Sequence, residues 1–116
     1  MASKYGIKLL SGYSVLGTQT AVYTVPTNLS RVIISSAFVV NRNTSPANLT
    51  IWIVPSSESI ADRHKAFIDI QIATEETMVL DQIIGFPLNV GDVIYAQASL
   101  ADSLALNLSA TTFTPE

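Results

Sequence analysis

The chain has 116 residues, of which 48% are hydrophobic and only 13% charged, with a formal net charge of −3 and no cysteine. That length fits one domain with its own core, and the apolar content is too high for a disordered chain. Disulfides, zinc–thiolate sites and cysteine nucleophiles are excluded, no Lys/Arg cluster tracks a phosphate backbone, and no apolar run approaches the ~18 residues of a membrane helix.

The N-terminal "MASKYGIKLL" lacks the apolar core of a signal peptide, which together with the missing cysteine fits synthesis in a reducing cytoplasm. Within it "YGIKLL" (5–10) has strand character, so residues 1–19 are expected to form an arm or an edge strand. "TAVYTV" (20–25) is rich in β-branched residues and stops at Pro26. "RVIISSAFVV" (31–40) is apolar on both faces and predicts a central strand covered on each side. The polar turn "NRNTSPAN" (41–48) then leads to "LTIWIV" (49–54), and the two runs read as a hairpin of the main sheet. After Pro55, "SSESIADR" (56–63) gives the one hint of helix, with Ser59 three residues before Asp62 in the spacing of a capping box.

"HKAFIDIQIA" (64–73) alternates, placing Ala66, Ile68, Ile70 and Ile72 on one face and Phe67, Asp69 and Gln71 on the other. The turn "TEET" (74–77) precedes "MVLDQII" (78–84), and "GFPLNVGD" (85–92) is a bend. There Gly91 tolerates a positive φ, and the Asp92 carboxylate can accept bonds from nearby backbone N–H groups. "VIYAQAS" (93–99) and "LALNLSA" (104–110) read as a last hairpin. Ile94, Ala96 and Ala98 share one face of the first, and Val93, Tyr95 and Gln97 the other; the small residues leave room for a large neighbour such as Trp52. Leu104, Leu106 and Leu108 line one face of the second. About eight short strands at this spacing define the expected fold: all-β, a single antiparallel β-sandwich over 1–116, of jelly-roll or immunoglobulin-like type.

Few residues could do chemistry. His64 is the only histidine, set among Asp62, Arg63 and Lys65, and reads as part of a solvated charge cluster at a strand start. A general base would need an orienting carboxylate and a nucleophile, and Asp62 two residues away is poorly spaced for that. Glu75 and Glu76 are neighbours in a turn and do not converge on a substrate. Gly91-Asp92 lacks the oxygen-rich repeat of a calcium loop. N-x-S/T sequons at Asn28, Asn43, Asn48 and Asn107 read as a by-product of an Asn/Ser/Thr-rich β-protein. Trp52 is expected in the core rather than on a sugar-binding platform. No enzyme activity, cofactor or metal is therefore expected. With so few charges, outward side chains such as Phe67, Val93 and Tyr95, and Tyr5 and Tyr13 near the N-terminus, are the candidate interface residues of a homo-oligomer, expected to be a symmetric ring.

The succession "YTVPTNLSRVIISSAFVVNRNTSPANLTIWIVP" (23–55) and "FPLNVGDVIYAQAS" (86–99) resembles small β-sandwich virion proteins of tailed bacteriophages. In that group a Tyr-Thr-Val-Pro strand end leads to an apolar strand closing on Asn, here Asn41. A later Leu-x-x-Gly-Asp turn, here Leu88 to Asp92, opens another strand. The resemblance implies a capsid decoration or cement protein, often trimeric, assembled in the host bacterial cytoplasm. Such a protein binds the major capsid protein on the outer shell, with no direct contact to nucleic acid or membrane. A tail or fibre component is the alternative within the group, and a carbohydrate-binding module the alternative outside it.

Overall fold

The computed structural model describes residues 4–114, with side chains from Gly6 onward. Its strands are β1 (Lys4–Ser14), β2 (Thr20–Thr24), β3 (Arg31–Asn41), β4 (Ala47–Val54), β5 (Lys65–Ile72), β6 (Thr77–Val79), β7 (Pro87–Asn89), β8 (Val93–Ala98) and β9 (Leu104–Phe113). One turn of 3₁₀ helix, Asp62–His64, lies between β4 and β5. Its N-cap is the extended Ala61, with no side-chain cap, so Ser59 does not play the part its spacing suggested.

The pairing is that of one antiparallel ribbon folded at its middle. β4 pairs with β5, β3 with β6 and β7, β2 with β8, and β1 with β9. Rolling the ribbon up adds β9 against β3 and β8 against β4. The result is two sheets, one in the order β1-β9-β3 with β6 and β7 sharing the far side of β3, the other β2-β8-β4-β5. This is a jelly roll. An immunoglobulin-like sandwich would instead pair several strands that are consecutive in the chain.

Two expected hairpins are corrected by this topology. β3 and β4 lie in different sheets, as do β8 and β9, so the turns after 41 and after 98 are crossovers between layers. Asn41 organises the first crossover. Fully buried at the end of β3, it donates from Nδ2 to the carbonyls of Ser45 and Ile72, both at 3.0 Å, and its Oδ1 accepts from the Asn43 N–H at 2.8 Å.

The core fills the space between the sheets. Leu104, Leu106 and Leu108 of β9 face it from one side, and Leu49 and Ile51 of β4 from the other. Ala98 and Ala96 lie opposite Leu49 and Ile51 in the β4–β8 register. Trp52 pairs with Tyr95 on the outer face instead, so it does not fill the space over the two alanines. Trp52 and Val54 are nonetheless buried, outside the inter-sheet core, where the 3₁₀ turn lies against β4.

β-Bulges change which residues face inward. In β3 the register slips between Ile34 and Ser36, so Val32 and Ile34 point inward before it and Ala37, Val39 and Asn41 after it. The outer side of β3 is open, with Phe38 exposed, and the strand is not covered on both faces as its composition suggested. In β5 the register slips between the Leu49–Ile70 and Ile51–Phe67 pairs, where Asp69 takes φ +45°. Phe67 therefore turns into the core at 3% exposure while Ile68 is left 58% exposed, the reverse of strict alternation.

Candidate functional site

Of the candidate interface residues, Phe67 is corrected: it is a core residue. The Tyr5 side chain lies outside the described residues. Tyr13 is half-buried and packs against the core. Val93 and Tyr95 are half-buried on the outer face of the β2-β8-β4-β5 sheet, where β8 alternates as expected with Ile94, Ala96 and Ala98 buried. Of Tyr13, Phe67, Val93 and Tyr95, only Val93 and Tyr95 share an outer face.

Four exposed apolar side chains, Phe38, Val79, Ile84 and Phe86, lie along the β3–β6–β7 edge of the other sheet. Phe38 sits directly opposite Val79, and both are exposed. Between β6 and β7 the chain is pinned beside β3: Leu80 N–H donates to the Ala37 carbonyl at 2.9 Å, Gly85 N–H to the Ile34 carbonyl at 2.6 Å, and Ile34 N–H to the Phe86 carbonyl at 3.2 Å. Leu80 and Ile83 anchor this segment in the core, and Ile84 and Phe86 are left in solvent. Gly85, at φ +87°, permits the turn between those two exposed side chains. The sequence signal lies in "MVLDQIIGF" (78–86), which has more apolar residues than one face can bury.

His64 is not in a solvated cluster. It is 9% exposed, and both ring nitrogens are engaged: Nδ1 accepts from the Ala61 N–H at 3.0 Å, and Nε2 meets Glu58 Oε1 at 2.9 Å. With Nδ1 accepting, Nε2 carries the proton and donates to the carboxylate. Neither nitrogen is left to act as a base toward a substrate. Arg63 donates to the same Glu58 oxygen at 2.6 Å, and the bonds from His64 and Arg63 hold the Glu58 carboxyl below the usual range. Glu58, six residues from His64, was missed because no local spacing rule joins them. Asp62 instead lies 3.7 Å from Lys65 Nζ.

The bend at Gly91 and Asp92 is a structural staple. Gly91 has φ +85°, and Asp92 accepts from the Asn89 N–H at 2.9 Å and from the Ser56 N–H at 3.1 Å. Burial raises the Tyr23 pKa, as expected for a phenol that packs against the core without a charged neighbour driving it. Among the described residues, no group of three or more His, Cys, Asp or Glu could hold a metal. Among the same residues, no helix is long and apolar enough to cross a membrane.

No protein-family model and no curated protein matches the chain. Among solved structures it is similar to a chain of the Bacillus endospore appendages, described as a family of disulfide-linked pili. The two are 15% identical with a TM-score of 0.56, over 100% of this chain and 88% of that one. It is also similar to a chain in the structure of infectious bursal disease virus, Gx strain, at 11% identity and TM-score 0.54, over 97% of this chain. The chain spans about a third of that viral chain's length, 32%. At these identities the likeness concerns the fold: this is an all-β jelly roll.

Proposed function

We propose that the chain is a structural subunit that packs against copies of itself and against a larger shell, as a decoration or cement protein on the outside of a virus capsid. The observation that carries this reading is the apolar edge: Phe38 and Val79 exposed on paired strands, with Ile84 and Phe86 left in solvent by the core-anchored segment that follows. Exposed apolar side chains grouped in this way are what an interface with another chain buries. The infectious bursal disease virus likeness supports the virion setting, and the tailed-phage motifs around Tyr23–Pro26 and Leu88–Asp92 support the decoration role. The pili described for the Bacillus likeness favour a second reading, a tail or fibre component. Any fibre built from this sequence would hold together without disulfides, since it has no cysteine.

The test is association in solution and on particles. Light scattering at micromolar concentration should give a multimer, with a trimer expected, and Phe38→Ser with Val79→Ser should return a folded monomer. Capsids carrying the protein should resist heat or osmotic shock better than capsids lacking it. A stable wild-type monomer that leaves capsid robustness unchanged would overturn the proposal.

A further inference from the structure

On the outer face of the β2-β8-β4-β5 sheet, away from the apolar edge, there is a depression of about 210 Å³ lined by Asn48, Thr50, Asp69, Gln97, Ala98 and Ser99. Its construction begins with the bulge in β5. Setting Ile68 and Asp69 against the single residue Thr50 puts Asp69 in a left-handed backbone conformation. That conformation is uncommon for a side-chain-bearing residue, though Asp and Asn tolerate it best. The Asp69 N–H is held by Thr50 Oγ1 at 2.9 Å, and its Oδ1 accepts from Asn48 Nδ2 at 3.1 Å. Ser99 Oγ accepts from the Asn48 N–H at 2.8 Å, and Gln97 Nε2 donates to the Gly17 carbonyl at 3.2 Å.

These bonds fix the side chains and leave their other polar atoms for a visitor. No hydrogen bond among the described residues uses Asp69 Oδ2, Asn48 Oδ1 or Gln97 Oε1. The hydroxyl protons of Thr50 and Ser99 are free to donate, since both oxygens serve as acceptors in the bonds above. The depression thus offers acceptors and donors side by side, already oriented.

The chemistry selects the ligand class. An anion would meet the Asp69 carboxylate with no cationic side chain in the lining. An apolar ligand would cover Asp69 Oδ2, Asn48 Oδ1 and Gln97 Oε1 and leave those atoms without water or partner. A ligand whose every edge both donates and accepts is a polyol, and the volume lies below the roughly 300–1,000 Å³ typical of drug-sized ligands, so it takes one ring. We infer that this depression binds a single pyranose unit of a glycan, with vicinal hydroxyls donating to Asp69 and the amides of Asn48 and Gln97 bonding the neighbouring oxygens. The site is separate from the apolar edge, and its occupancy does not depend on assembly.

The test is an amide chemical-shift titration of the full chain with glucose, galactose, mannose, N-acetylglucosamine and N-acetylgalactosamine, with glycerol as an acyclic polyol control. At least one sugar should give saturable shifts at residues 48, 50, 69, 97 and 99, with a dissociation constant in the millimolar range. Asp69→Asn keeps the backbone conformation and removes the carboxylate, and should weaken binding at least fivefold (roughly 1 kcal/mol). Gln97→Ala, whose side chain is anchored only at Gly17, should weaken it as well. The inference fails if no sugar gives saturable shifts there by about 50 mM, well above a millimolar constant. It also fails if glycerol reproduces them at equal concentration, or if both variants bind like the wild type.

Discussion

Asn41 holds the crossover between the two sheets, and replacing it by Leu isolates what its hydrogen bonds contribute. The two side chains are close in size, so the substitution leaves no sizeable cavity. It removes the bonds to the Ser45 and Ile72 carbonyls and the one from the Asn43 N–H. Each such bond contributes about 1 kcal/mol net, and a buried group left without a partner costs about 1–3 kcal/mol. The Ile72 bond is buried, whereas the other two are only partly so, and water can partly replace those. A loss of about 2–4 kcal/mol follows. Unfolding entropy for a chain of this length is about 0.24 kcal/mol/K, so Tm should fall by about 8–16 °C. Calorimetry and urea unfolding of both proteins at the same concentration read this directly, with the urea slope unchanged. An Asn41→Leu protein within about 0.5 kcal/mol of wild type, the uncertainty of independent-site additivity, would show that the crossover does not depend on these bonds.

Phe67→Ala empties a core position that simple alternation would have placed outside, and should cost about 3–5 kcal/mol in a urea titration. Gly91→Ala should destabilise by about 1–3 kcal/mol, because φ is positive there and an added Cβ would sit 2.7 Å from Ser56 Cβ; thermal unfolding would show it. Glu58 has a lowered pKa, so its contribution is complete above the unfolded Glu value of about 4.3 and is lost as the pH falls through the lower folded value. Amide protection factors over residues 56–64, taken relative to the intrinsic exchange rate at each pH, should therefore drop below that pH, and Glu58→Gln should show the lower protection already at neutral pH.

The sequence was most informative where side chains keep a strict period. In β8 the Ile94, Ala96, Ala98 set is buried, and in β9 Leu104, Leu106 and Leu108 are, as their alternation implies. The Gly91-Asp92 bend was also legible, because both its φ and its side-chain bonds are local. What alternation cannot see is a bulge. The extra residue near Ser35 and the one at Asp69 each reverse the facing of everything beyond, which is why Phe67 and Ile68 exchange roles. Sheet membership was hidden too, since the turn at 42–46 reads as a hairpin turn and only long-range pairing makes it a crossover. His64 reads as solvated because its partner Glu58 is reached through a loop, and in "MVLDQIIGF" alternation does not show which apolar residues are anchored and which are left in solvent.

The nested ribbon also sets how this chain reaches its native state. Only β4 and β5 pair across a short connection, whereas the outermost rung joins Lys4 to Phe113. Closing a loop costs more entropy as it lengthens, so the fold should nucleate at the β4–β5 tip and zip outward, with the slow kinetics of non-local β-proteins, on the order of milliseconds to seconds. During synthesis β1 must wait, unpaired, until β9 has emerged.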